Sequence, residues 1–167
     1  MALIVNLAII ICIFIILAIS LNIALGYTGL INLGHVAFFG VGAYTSAILT
    51  KVYDIAFLPA FFLAGVLAAI CGALLVFITR KLNSDYLALA TLGFAFIAHS
   101  IFINWKSLTY GPLGIPGIPK PEIFGFVIKS NNAYLIFSLL ILVLTLFLLS
   151  KMVNSPYGKL LQAVRDD

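Results

Sequence analysis

No aspartate, glutamate, lysine or arginine occurs between Met1 and Thr50. A soluble chain has no use for fifty consecutive residues that offer water no charge, so this stretch restricts the fold before anything else does. Inside it lies Gly26-Tyr-Thr-Gly-Leu-Ile-Asn-Leu-Gly-His-Val-Ala-Phe-Phe-Gly-Val-Gly-Ala-Tyr44, where five glycines crowd together with Thr28, Asn32, His35 and two tyrosines. Hydrocarbon supplies no partner to a freed backbone N–H or C=O, so irregular backbone is tolerated there only against protein or a water-filled cavity. Glycine permits close approach and unusual dihedrals. One reading is a broken or re-entrant membrane segment beside a translocation path, with Gly26, Tyr27, Thr28, Gly29, Asn32, Gly34, His35, Gly40, Gly42 and Tyr44 lining it. The other is two ordinary helices joined by a short glycine turn, the small residues serving only to pack.

The remaining sequence extends the pattern. Apolar residues make up 64% of the 167 and charged residues 8%, with mean hydropathy +1.25. A spanning helix needs roughly 20 apolar residues, and several such runs are present. The expected fold is an all-α polytopic membrane protein of about five transmembrane helices. Residues 1–150 form the transmembrane domain and residues 151–167 a cytoplasmic amphipathic tail. The formal charge of +4 comes from scattered lysines and arginines rather than a basic run, which suits the flanks of membrane helices and argues against nucleic acid as a partner. Membrane lipid is the surrounding medium. The N-terminus lacks a basic n-region and small-residue cleavage site, so Leu3 to Leu25 reads as a retained span.

Charge punctuates the blocks. An Arg, Lys or Asp at a helix centre costs about 2.5–3.5 kcal/mol, against a gain of about 0.3–0.6 for each Leu, Ile, Val or Phe. After Leu3–Leu25 comes Val36 to Thr50, short for a span unless the glycine stretch completes it. Lys51, Tyr53 and Asp54 then mark an interface. Leu58 to Ile78 carries small residues at i, i+4, i+8, namely Gly65, Ala69 and Ala73, with Ala64, Ala68 and Gly72 in parallel. Such rows allow close helix contact, which predicts a helix buried in the bundle. Arg80 and Lys81 close it. Asn83-Ser-Asp85 offers an N-cap and a favourable charge for the next helix, Tyr86 to about Ile103. Lys106 to Asn132 is too rich in proline and glycine to continue a helix. Tyr134 to Leu149 is Leu-rich on every side. Placing the tail and the Arg80-Lys81 loop in the cytoplasm puts Lys151, Lys159 and Arg165 on that side, with Lys51, Lys106, Lys120 and Lys129 opposite.

The residues that carry chemistry are few. No P-loop, paired carboxylates or metal-ligand spacing occurs in the sequence, so no metal site and no catalytic residue is expected. Cys12 and Cys71 sit in apolar runs and read as small hydrophobes. His35 and His99 are lone intramembrane histidines, either functional by position or neutral and hydrogen-bonded to nearby backbone. An intramembrane enzyme using both is a remote alternative. The tail is more informative. Pro156 can start a helix, and Leu160, Leu161 and Val164 form an apolar stripe with charges opposite. That pattern suits docking into a soluble partner's groove or lying on the membrane surface.

Several stretches together carry a resemblance. They are Gly26 to Tyr44, Asp85-Tyr-Leu-Ala-Leu-Ala-Thr-Leu-Gly-Phe94, Asn104, Leu108-Thr109, Gly111-Pro112, Gly114 to Pro119, and Ser155-Pro-Tyr-Gly-Lys-Leu-Leu-Gln-Ala-Val-Arg-Asp-Asp167. Spread in this order over most of the chain, they resemble the permease subunits, of the LivM type, of ABC importers for branched-chain amino acids. The resemblance implies a multi-pass subunit of a bacterial or archaeal inner membrane. Such a subunit pairs with a second, LivH-like permease and two cytoplasmic ATPase subunits, and receives solute from an extracytoplasmic substrate-binding protein. This chain would bind no cofactor; ATP and Mg would be used by the ATPases. By the same carry-over Ser155, Pro156, Tyr157, Gly158, Lys159, Leu161, Ala163, Arg165 and Asp166 open the coupling segment that an ATPase grips. The family continues past that segment into further spans, which implies an N-terminal portion. Phe96 stands where the family has an acid, His99 where a basic residue is usual, and Tyr110 where glycine is common; these departures bear on substrate choice. The competing class is a non-transporting scaffold or small homo-oligomeric channel with Gly65, Ala69 and Ala73 as its contact face.

Overall fold

The computed structural model describes residues 2–123 and 126–166, without the side chains of Ala2, Phe126, Tyr157, Gln162, Val164, Arg165 and Asp166. It is built of helices: α1 (Ala2–Asn22), continued by a π-turn (Ile23–Tyr27), then α2 (His35–Lys51), α3 (Phe57–Thr79), α4 (Ser84–Asn104), the single turn α5 (Lys106–Thr109), α6 (Asn131–Val153) and α7 (Pro156–Asp166). Four helical segments are long and apolar enough to cross a membrane: Leu3–Tyr27, Phe57–Thr79, Ser84–Asn104 and Asn131–Val153. The fifth apolar helix, α2, has 17 residues and is shorter than a full span. The proline- and glycine-rich region holds more order than its composition suggests. Besides α5 it contains a 3₁₀ turn (Gly111–Leu113) and a two-residue antiparallel pair, β1 (Glu122–Ile123) with β2 (Phe126–Val127), in register Glu122 to Val127.

The chain divides into two compact units. The first comprises residues 1–31 and 128–167. Here α1 packs along α6, and the two run parallel: Asn131 Nδ2 donates to Asn6 Oδ1 at 3.0 Å at one end, while a cleft at the other joins Ile19 and Tyr27 to Leu146 and Asn154. Ser130 caps α6, its Oγ accepting from the Ala133 N–H at 3.2 Å. Beyond Val153 the chain turns and α7 packs against the end of α6 and against the π-turn.

The second unit, residues 32–127, is a helical hairpin of α2 and α3 with α4 alongside. Its interior is small-residue packing, with Ala37, Ala47, Ala60, Ala64 and Ala98 buried and Ala60 wholly inaccessible. The row of α3 that faces inward holds Ala60 and Ala64, with Gly72 3.8 Å from the Phe38 ring. Gly65, Ala69 and Ala73 lie on the exposed side of α3, so the expectation of close packing holds for the neighbouring row and not for theirs. Nor is α3 buried all round, because Phe62, Val66, Ile70, Leu74 and Phe77 are all exposed. The physical reason is that α3 is apolar on every side, so composition says nothing about which face turns inward. Asn83 occupies the N-cap position of α4 but makes no side-chain capping bond; Asp85 lies in the first turn as expected.

Buried hydroxyls are accommodated by one device throughout. Thr50, Thr79, Thr91 and Ser138 each donate to a carbonyl three or four residues back, at 2.8–2.9 Å. Back-bonding of this kind removes the cost of a polar group inside an apolar helix.

Candidate functional site

The glycine-rich stretch is where the regular backbone fails, and it fails twice. In the first unit α1 widens into the π-turn Ile23–Tyr27, a form that concentrates at functional sites within helices. Gly26 leaves room there for the Asn22 side chain, whose Oδ1 would lie 2.6 Å from a Cβ and would have to turn aside. Thr28 donates its hydroxyl to the Ala24 carbonyl and accepts from the Leu30 N–H at 3.4 Å. Gly29 then takes φ +68°, a left-handed conformation that glycine adopts without strain.

In the second unit, residues 32–34 enter α2 against the side of α4. Asn32 Oδ1 accepts from the Gly34 N–H at 3.0 Å, and Thr91 Oγ1 of α4 accepts from the Leu33 N–H at 3.0 Å. Gly34 is buried, and a Cβ on it would stand 2.3 Å from the Thr91 carbonyl oxygen. Backbone meets backbone here. Thr91 is the eighth residue of α4, roughly 10 Å along its axis at 1.5 Å per residue. Because α4 spans the bilayer core, α2 begins inside the hydrocarbon layer. The backbone amides at the entry to α2 thus lie at membrane depth, and two side chains, Asn32 and Thr91, take up the donors of Gly34 and Leu33.

Along the seam of α2 with α4 the remaining expected path residues divide by role. Gly40 admits the Phe102 ring, which a Cβ would meet at 2.7 Å. Tyr44 stacks on the same ring, centroids 4.5 Å apart, and Phe38 tilts over Phe94 at 5.2 Å. Gly42 has nothing within 4 Å of where a Cβ would stand. His35 opens α2 and is half-buried. An apolar groove of about 400 Å³ follows this seam, lined by Val36, Phe39, Gly40, Phe96, His99 and Phe102 among others. Phe96 and His99 are therefore neighbours in one groove.

A second cleft, of about 340 Å³, lies in the first unit beside the π-turn and is more polar, with Asn22, Tyr27, Ser150 and Asn154 on its walls. Below it α7 is seated by Gly158, which is buried and so close to the end of α6 that a Cβ would fall 1.9 Å from the Val153 carbonyl oxygen. Ser155 closes the turn, donating Oγ to the Met152 carbonyl at 2.6 Å. Lys159, Leu160 and Ala163 are exposed and Leu161 is half-buried. Of the expected apolar stripe, Leu160 thus faces outward, 63% exposed, and Val164 lies outside the described side chains, as do Tyr157, Arg165 and Asp166.

Thr91 was not among the residues expected to matter. Its signal was present, as a lone hydroxyl near the middle of an apolar span, but nothing in one sequence says which neighbouring helix it addresses. Among the described residues no cluster of three His, Cys, Asp or Glu stands where a metal could bind, and Cys12 and Cys71 are both free thiols.

A helical, multi-pass membrane protein with a short helix, α2, that starts beside the middle of a spanning helix is the class these features define. The chain belongs to the family described as branched-chain amino acid transport system / permease component, whose pattern matches residues 3–167. It is 36% identical to the high-affinity branched-chain amino acid transport system permease protein LivM of Escherichia coli (strain K12), over 98% of this chain and 44% of that protein. It is 26% identical to the probable branched-chain amino acid transport permease protein LivM of Methanocaldococcus jannaschii, over 91% of this chain and 53% of the relative. To the uncharacterized protein YnzE of Bacillus subtilis (strain 168) it is 32% identical, over 58% of this chain and 96% of that protein. The chain therefore spans about half the length of the LivM relatives it matches. No solved structure matches it.

Proposed function

We propose that this chain forms part of an inner-membrane permease subunit of an ATP-driven importer for branched-chain amino acids or related small polar solutes. Family membership supports the class. The observation that carries the mechanism is the seat of α7, which touches both the end of α6 and the π-turn that opens the glycine-rich stretch. Two cytoplasmic ATPase subunits, using ATP and Mg, grip the exposed side of α7 at Lys159, Leu160 and Ala163. Closure of the ATPases displaces α7, and the π-turn it rests on shifts the start of the broken segment. A second permease subunit completes the path, and an extracytoplasmic binding protein delivers the solute. The chain itself makes and breaks no covalent bond.

The test is purification of the tagged chain from its native membranes. Nucleotide-hydrolysing subunits are expected to accompany it, and Leu160→Glu should remove them while leaving the amount of chain in the membrane unchanged, because Leu160 is exposed. A chain that purifies alone, or an ATPase complex indifferent to Leu160→Glu, overturns the proposal. One observation favours a second reading: Gly65, Ala69 and Ala73 form an exposed small-residue row on α3, suited to self-association. Disulfide crosslinking between copies through Ala69→Cys, with no ATPase present, would select that reading.

A further inference from the structure

Residues 105–119 form a loop pinned at both ends to helices of the second unit. At its start Thr109, 3% exposed, donates Oγ1 to the carbonyls of Phe102 (2.7 Å) and Trp105 (2.8 Å) and accepts from the Gly111 N–H at 3.3 Å. Gly111 lies so close to the last turn of α4 that a Cβ would stand 2.9 Å from the Ile103 carbonyl oxygen. At the far end Lys51, closing α2, donates Nζ to the carbonyls of Pro116 and Gly117, the latter at 3.2 Å. Tyr110, Gly111, Gly114 and Gly117 all have positive φ, so the backbone doubles back repeatedly instead of extending. At the crown Leu113 is 93% exposed.

Only Pro112 separates Leu113 from Gly111, so Leu113 lies within about 7 Å of the residue that packs on the last turn of α4. Trp105 and Tyr110 in the same loop are exposed. Lys106 is its charge and Lys120 follows directly after it, and no acid occurs from Tyr86 to Pro121. Trp, Tyr and Lys are the residue types that the membrane–water interface selects, and residues 105–119 contain no carboxylate to oppose anionic headgroups.

We propose that Leu113 is a lipid-interface wedge, held by the two pins so that its side chain seats at the boundary of headgroups and acyl chains. The lipid is already at that depth, whereas a protein partner would have to bring a complementary pocket. The inference stands on the membrane-spanning fold alone and is independent of the transport reading.

The test places a spin label at Leu113→Cys in the full chain, with Cys12 and Cys71 replaced by alanine, in vesicles of phosphatidylcholine and phosphatidylglycerol. Collision with oxygen is compared with collision with a water-soluble nickel chelate, using Lys81→Cys as the reference in water. The expected result is an oxygen-to-chelate ratio several-fold higher at 113 than at 81. A ratio equal to that at 81 places Leu113 in water and overturns the proposal. Low collision with both reagents means that protein covers it, which overturns the proposal equally. Leu113 is almost fully exposed, so its replacement leaves the fold intact. Fluorescence of Trp105, the single tryptophan, provides a check without substitution at the loop, since lipids brominated near the headgroup should quench it. Emission unmoved by those lipids counts against the interfacial depth on which the wedge depends.

Discussion

Gly34 and Gly42 are eight residues apart in one glycine-rich stretch, yet they answer to different constraints. A methyl group on Gly34 would enter the α4 backbone at the Thr91 carbonyl, whereas one on Gly42 would meet open space. Gly34→Ala should therefore destabilise the protein by about 1–3 kcal/mol or more, the range of overpacking in a closed site. Gly42→Ala should be neutral or stabilising by up to about 1 kcal/mol, the difference in helix propensity. Thermal unfolding in detergent checks both, and equal melting points for the two variants would contradict the geometry. Tyr110 presents the opposite case, a bulky side chain at φ +62°. Left-handed backbone costs a non-glycine residue about 1–2 kcal/mol, partly offset by the roughly 0.4–1 kcal/mol of extra unfolded-chain entropy that glycine brings. Tyr110→Gly should raise the melting temperature in detergent, and a fall would show that the ring's contacts outweigh the strain.

Helix boundaries were legible in the sequence because charge marks them at a cost of several kcal/mol per misplaced residue. Val36 to Thr50 became His35–Lys51 and Leu58 to Ile78 became Phe57–Thr79. Rotation about the helix axis was not legible. The inward row of α3 is offset by one residue from Gly65, Ala69 and Ala73, and in a helix apolar all round nothing local opposes that offset. The glycine stretch was readable as a break, but the π-turn and the support from Thr91 depend on partners distant in sequence. The tail shows the same division. Its helix starts at Pro156 as expected, yet the tight seat of Gly158 on Val153 appears only in three dimensions. Gly158→Ala should lift α7 away from α6 and the π-turn, opening residues 154–158 to added protease in detergent. Unchanged cleavage there would mean that α7 needs no such close approach.

The scale of the molecule is set by its spans. Within the second unit, Lys51 reaches from the end of α2 to the loop beyond α4, so the α2–α3 and α4–α5 connections share one membrane face. Cysteines at Tyr53 and Ser107 should therefore react with an impermeant maleimide from the same side, and a cysteine at Lys81 from the other; any other pairing breaks this arrangement. The first unit supplies an independent count. Since α1 and α6 point the same way, the residues between them must traverse the bilayer an odd number of times.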